Sequence, residues 1–349
     1  MPLTLLTLLD PSQPIFYTGI FDHLNVMDTI NLLSTCRQTM ALKRHIFNVN
    51  ALLRPFFKDP VQFRQIMADN DLMVGGSMAL RLFSREHWAS NDLDVYTESH
   101  EAVPIVAAFL EKTGYHFKPY FWQSESLSES LSKRDIVREE ISRTRRLHFE
   151  DEEILGAEGY PYGIEQIKDI YAFVHKGTKK KVEVVLTRGS VLKLILSYYA
   201  TFLMNFFTYR TAFSLFPYPT FRGNKGYYVP PRTGLHEKTL KGVQKYFVRG
   251  YSIQTNWYRA YLHRDVERIR TVGDCDTWSL PLCTGGIKMP SREARPQGQP
   301  FCIAFENGSR PEYPFGFDYY ARTENQTLEE QLNEADHLKL SVAKRRGII

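Results

Sequence analysis

In the first part of the chain apolar residues recur at three- and four-residue steps: Ile20, Phe21 and Leu24, then Ile30, Leu32 and Leu33. That spacing gathers them on one face of a helix, and Asp28 is placed to cap the helix carrying Ile30 to Cys36. A further helix is expected from Gln38 to Phe47, with Pro55 and Pro60 punctuating the end of the region. From about Phe63 the pattern changes to strands alternating with helices. Leu72-Met73-Val74 is a short apolar run, followed by Gly75-Gly76-Ser77 and by Ala79, Leu80, Leu82 and Phe83 at helical spacing. Leu93, Val95 and Tyr96 frame a strand, and Val103 to Lys112 reads as a helix stopped by Gly114.

Further on, Ile170 to Val174 and Lys181 to Leu186 are β-branched and aromatic runs around Gly177, a hairpin pattern. A long amphipathic helix is expected from Ser190 to Phe207, its stripe of Tyr198, Tyr199, Phe202, Phe206 and Phe207 turned to the core. The polar stretch from Gln123 to Glu153 reads as an insertion, and its charges cancel: six basic against seven acidic residues from Lys133 onward. Beyond Pro217 the text is rich in Gly, Pro and aromatics, and residues 324–346 read as a charged surface helix.

The chain has 349 residues, 43% of them apolar and 13% aromatic, enough for a substantial core and more than one domain. No run approaches the 18 or so apolar residues that a membrane-spanning helix needs; Lys193, Ser197, Thr201 and Asn205 break the best candidate. Met1 to Leu9 lacks the basic start of a secretory signal. Cys36, Cys275, Cys283 and Cys302 are far apart, which argues for a reducing compartment and against a structural zinc site. The sequons at Asn307 and Asn325 carry little weight without a secretory route, and a cytoplasmic or nuclear address is expected. The histidines His100, His116, His148 and His175 show no zinc-motif spacing.

The most informative stretch is Val74-Gly75-Gly76-Ser77 with Asp92-Leu93-Asp94-Val95. Strand residues alternate faces, so Asp92 and Asp94 point to one side and can jointly hold a divalent ion such as Mg²⁺. Gly75 and Gly76 permit a tight turn whose amides approach an anion, with Ser77 at the start of the following helix, where the dipole favours phosphate. A phosphate cradle beside paired carboxylates suits phosphoryl or nucleotidyl transfer. The same residues also fit an ordinary turn and a solvated strand face.

In its order, this pattern resembles the nucleotidyltransferase superfamily of the polymerase β type. The resemblance covers roughly residues 63–210 and implies a mixed sheet with flanking helices. It further implies a third carboxylate on a neighbouring strand, matched by Glu183 in Val182-Glu183-Val184. On it, Asp92, Asp94 and Glu183 form a catalytic, Mg²⁺-holding set, and Gly75, Gly76 and Ser77 bind the phosphates of a nucleoside triphosphate. That reading requires Glu183 beside the two aspartates in an open cleft, without a basic side chain filling the gap.

The first stretch, from Pro14-Ile15-Phe16 through Ile20, Leu24, Asp28, Ile30, Leu33, Cys36 and Arg37, resembles an F-box. This implies a small helical bundle docking a Skp-type adaptor through residues 14–57; a plain helical cap is the other reading. The combined arrangement resembles a set of fungal proteins, which brings no activity with it.

The formal charge is only +5, but from Arg222 to Arg270 eleven basic residues face Glu237, Asp265 and Glu267, a local balance of +8 interleaved with tyrosines. Such a block could serve nucleic acid, since cations neutralise phosphates and rings stack bases, or it could be a solvated shell. Lys241, Lys245 and Arg249 fall at four-residue steps and share a face on a helix.

The fold expected is therefore α+β: an F-box-like helical module (1–60), a nucleotidyltransferase-like domain with a basic extension (61–325) and a charged tail (326–349). The function expected is Mg²⁺-dependent nucleotidyl transfer. The alternative is a cullin-ligase adaptor whose second domain is catalytically silent.

Overall fold

The computed structural model describes residues 9, 11–12, 19–86, 88, 90–120, 122–132, 166–229, 237–254, 270–291, 296–305 and 318–321. The opening Pro14-Ile15-Phe16, residues 133–153, both sequons, the tail helix and parts of the basic block (230–236 and 255–269) lie outside the described residues.

Among the described residues from Val26 onward, four short helices come first: α1 (Val26–Leu33), α2 (Arg37–Ala41), α3 (Lys43–Ile46) and α4 (Val49–Leu53). Asn25, not Asp28, caps α1: its Oδ1 accepts from the Asp28 amide at 2.9 Å, and its Nδ2 donates to the Asp28 carboxylate at 2.6 Å. The helix expected over residues 38–47 is split at Leu42. Helix α5 (Pro60–Asp69) starts with Pro at its first position and Asp59 as cap, whose Oδ1 accepts from the amides of Val61 and Gln62.

The core of the molecule is an eight-stranded mixed sheet, ordered β11-β7-β6-β1-β2-β5-β4-β3. Its strands are β1 (Met73–Gly75), β2 (Asp92–Thr97), β3 (Tyr115–Lys118), β4 (Ile167–His175), β5 (Lys181–Thr187), β6 (Asn205–Phe207), β7 (Thr211–Ser214) and β11 (Trp278–Pro281). Every neighbouring pair is antiparallel except β2 and β5, which run parallel with Asp94 opposite Glu183 and Asp92 opposite Lys181. The expected hairpin is β4–β5. Strand β1 sits centrally, paired to β2 on one edge and to β6 on the other, where Val74 meets Phe207.

Helix α6 (Gly76–Ser84) follows β1 directly, α7 (Ala102–Lys112) follows β2, and α8 (Leu127–Ser132) precedes β4. The long helix expected over 190–207 does not form. A short helix α9 (Val191–Ile195) is followed by a 3₁₀ turn and then by β6. Its aromatic stripe is buried as expected, but the run of Phe206 and Phe207 is consumed as a central strand. Both faces of such a strand are covered, so a continuous apolar run suits it as well as it suits a helix.

Helix α10 (Pro217–Gly223), strand β8 (Lys225–Tyr227), helix α11 (Glu237–Val248) and strand β9 (Ser252–Gln254) form the next layer, β8 and β9 pairing in parallel. Strands β10 (Arg270–Thr271), β12 (Pro300–Phe305) and β13 (Asp318–Ala321) make a small separate sheet. The buried apolar side chains of the early helices, including Phe21, Leu33 and Leu53, join those of the sheet in one connected core. Arg85 Nη2 ties the first helices down by donating to the carbonyls of Phe21 (2.6 Å) and Leu24 (2.5 Å). Among the described residues no helix is long and apolar enough to cross a membrane.

Candidate functional site

The β1–α6 turn comes close to β2 because glycine alone fits there. A Cβ at Gly75 would stand 2.8 Å from the Tyr96 ring, and one at Gly76 would stand 3.0 Å from Asp94 Oδ2. Gly76 also adopts a φ of +61°, which side-chain-bearing residues resist. Helix α6 thus starts directly against the Asp94 carboxylate. No side chain caps its N-terminus, so its first amides face the cleft with the positive end of the dipole. A phosphate seated at Gly76 and Ser77 would meet Asp94 at close range, and such a pair of anions is tolerable only with a cation between them.

On β2 the period-two alternation turns Asp92, Asp94 and Tyr96 to one face while Leu93 and Val95 enter the core. On the neighbouring β5, Lys181 and Glu183 share that face, and the parallel register sets Glu183 beside Asp94. All six expected site residues therefore converge except Gly75, which lies in the turn behind: Gly76, Ser77, Asp92, Asp94 and Glu183 line one cleft of about 360 Å³. Its volume is within the range of small-ligand sites.

The gap between the strands is not empty of charge. Lys181 Nζ lies 3.6 Å from Asp92 Oδ1 and 3.3 Å from Glu183 Oε1, so a basic side chain stands where the enzymatic reading asked for none. Tyr120 donates its hydroxyl to the same Glu183 oxygen and stacks on Trp122, with ring centroids 4.6 Å apart. Among the described residues no three His, Cys, Asp or Glu side chains are placed to hold a metal ion together. The acids do suit Mg²⁺ in a narrower way. Asp92 and Asp94 supply hard oxygen donors from one strand face, and Mg²⁺ is commonly held by one or two carboxylates plus substrate phosphates. The ammonium of Lys181 already supplies a cation to Asp92 and Glu183.

Beneath the turn, Tyr96 and Tyr198 are hydrogen-bonded hydroxyl to hydroxyl and are fully enclosed. Burial pushes both phenols far above the ordinary tyrosine range. Tyr198 and then Asp94 add to this for Tyr96, and Asp94 does so for Tyr198. Both stay protonated and neutral, so the floor of the cleft adds no further negative charge below Asp94.

The opposite wall is α11. Lys241, Lys245 and Tyr246 line the same cleft as the acids. Lys245 is held below the ordinary lysine range, first by desolvation and then by Arg249, while Asp92 and Asp94 pull it up. The same helix face continues into an adjoining open groove of about 850 Å³, shared by Lys241 and Lys245 and extended by Glu86, Trp88, Gln244 and Arg249. There the Arg249 guanidinium lies over the Trp88 ring at 4.7 Å, a cation–π contact that fixes both.

Sequence spacing placed the lysines of α11 on one face but not against the acids. Lys181 and Tyr96 were missed although each shares a face with a named acid, two residues from Glu183 and from Asp94, a pattern that period two makes readable. Tyr120 and Tyr198 reach the site from 63 and 102 residues away along the chain, and nothing local announces them. Comparison with protein-family models, with curated proteins and with solved structures finds no match for this chain.

Proposed function

We propose that the cleft binds a nucleoside triphosphate once Lys181, which stands in the gap against the stated requirement, is displaced from the acids, and that the chain moves a nucleotidyl group from it to an acceptor. One observation carries the reading: the parallel register that sets Glu183 beside Asp94, with the Gly76 turn against the same carboxylate. The amides at Gly76 and Ser77 and the ammonium group of Lys245 hold the phosphates. Asp92 and Asp94 would hold Mg²⁺, which when bound neutralises charge on the transferring phosphoryl group. In the transfer an acceptor hydroxyl oxygen bonds to the α-phosphorus, the bond to the bridging oxygen breaks and pyrophosphate leaves. Glu183, beside Asp94, orients the hydroxyl and takes its proton. The acceptor class that suits the adjoining groove is a single-stranded nucleic acid, whose phosphates meet Lys241 and Arg249.

The deciding measurement is ATP binding in Mg²⁺ by calorimetry, on the native chain and on Asp92→Asn/Asp94→Asn. The variant is expected to bind about tenfold more weakly or worse, on the scale of one lost charge-assisted contact. Equal affinity in both removes the reading. It would favour the second one, an F-box-type adaptor for a Skp-type partner with a silent second domain. Two observations lean that way: Lys181 between the acids, and the half-buried Met27, Ile30 and Leu32 on α1.

A further inference from the structure

Carboxylates on adjacent strands repel, and in this fold the repulsion is answered from within the chain. Lys181 is on β5 opposite Asp92 and two residues before Glu183, so its stem rises on the face that carries both acids. Its ammonium bridges a carboxylate of β2 and one of β5, at 3.6 Å and 3.3 Å. The three side chains are 26% (Lys181), 47% (Asp92) and 19% (Glu183) exposed. Ion pairs this accessible hold only weakly, because water screens them and a long side chain is immobilised. Lys181 is also a point charge on a flexible four-carbon stem, without the planar fork and ring stacking that hold an arginine in place. Glu183 would not be stranded by its departure, since the Tyr120 hydroxyl still donates to it.

We propose that Lys181 is an internal counter-ion that competes with a divalent cation for Asp92, and so couples metal entry to triphosphate entry. This deepens the triphosphate reading and rests on it. With the lysine seated, a bare divalent ion finds one side of its site already neutralised and binds weakly. A triphosphate brings both the ion and a new anion for the displaced ammonium, because Lys181 itself lines the cleft. The lysine then exchanges carboxylate partners for phosphate oxygens without leaving the site. Metal and triphosphate therefore bind more tightly together than apart, and the coupling is reciprocal.

The test is Mn²⁺ binding to the full chain, read from the electron paramagnetic resonance signal of free Mn²⁺, with and without a non-hydrolysable ATP analogue. Native protein is compared with Lys181→Met and Lys181→Gln, each checked for an unchanged melting temperature; two variants guard against one failing to fold. Both variants are expected to bind Mn²⁺ alone about fivefold more tightly, the scale of a partly exposed ion pair, and to lose most of the coupling to the analogue. Should the analogue bind while Mn²⁺ affinity in the variants is equal to or below native, the counter-ion role is overturned and the triphosphate reading stands. Should the analogue bind none of the proteins, both are overturned.

Discussion

Gly76 is the residue on which the cleft turns. Its left-handed φ of +61° and the 3.0 Å approach to Asp94 leave no space for a side chain. Gly250 supplies a comparison, with a φ of +83° and nothing within 4 Å. Gly250→Ala meets only the conformational penalty, about 1 kcal/mol. Gly76→Ala adds a contact that Asp94 must yield to, so a loss of about 2–3 kcal/mol is expected, together with weaker ATP binding. Urea unfolding of the two variants side by side checks the order, and a Gly76→Ala as mild as Gly250→Ala would deny the tight approach. At this scale much was legible. Asp92 and Asp94 share their face because strand alternation has a period of two, which can be counted in the chain; Glu183 joins them through the β2–β5 register, which local spacing does not encode. The Tyr96–Tyr198 pair was not legible, since its members meet only after the chain has passed through three further described strands.

Among the elements, β6 and α11 teach opposite lessons. The segment of Phe206 and Phe207 has the residue types of a strand and the spacing of a helix. The slot between β1 and β7 decided for the strand, and no local pattern encodes that vacancy. The four-residue steps of Lys241 and Lys245 in α11, and of Arg249 just past its end, did bring the three to one groove, but the sequence does not say that this face looks at the acids. Its chemistry is testable as a unit. Binding of a fluorescent 12-nucleotide single-stranded RNA, followed by anisotropy over a salt series, is expected to weaken several-fold in Lys241→Ala/Arg249→Ala. The slope of log affinity against log salt should fall by about 1 to 2. Unchanged affinity and slope would remove nucleic acid from the groove.

For the whole molecule, the early helices and the sheet share one core, and Arg85 fastens the first to the second. Arg85→Ala leaves the Phe21 and Leu24 carbonyls short of a donor, so a stability loss of about 1–3 kcal/mol is expected. Faster proteolytic cleavage near residues 19–25 should accompany it, read by mass spectrometry of limited digests. A digest that matches the native one would mean that apolar packing alone holds the helices in place. The sequence marked these helices as a unit through their spacing; their union with the sheet depends on long-range packing that spacing does not encode.

The pairing of Val74 with Phe207 has a consequence for the chain as it is made. At ordinary synthesis speeds β1 waits on the order of ten seconds for β6 to emerge. Through that interval the very strand that aims the Gly75-Gly76 turn presents an open edge, a surface on which neighbouring nascent chains can add. The cleft is therefore completed late, only once β6 and then α11 have been made.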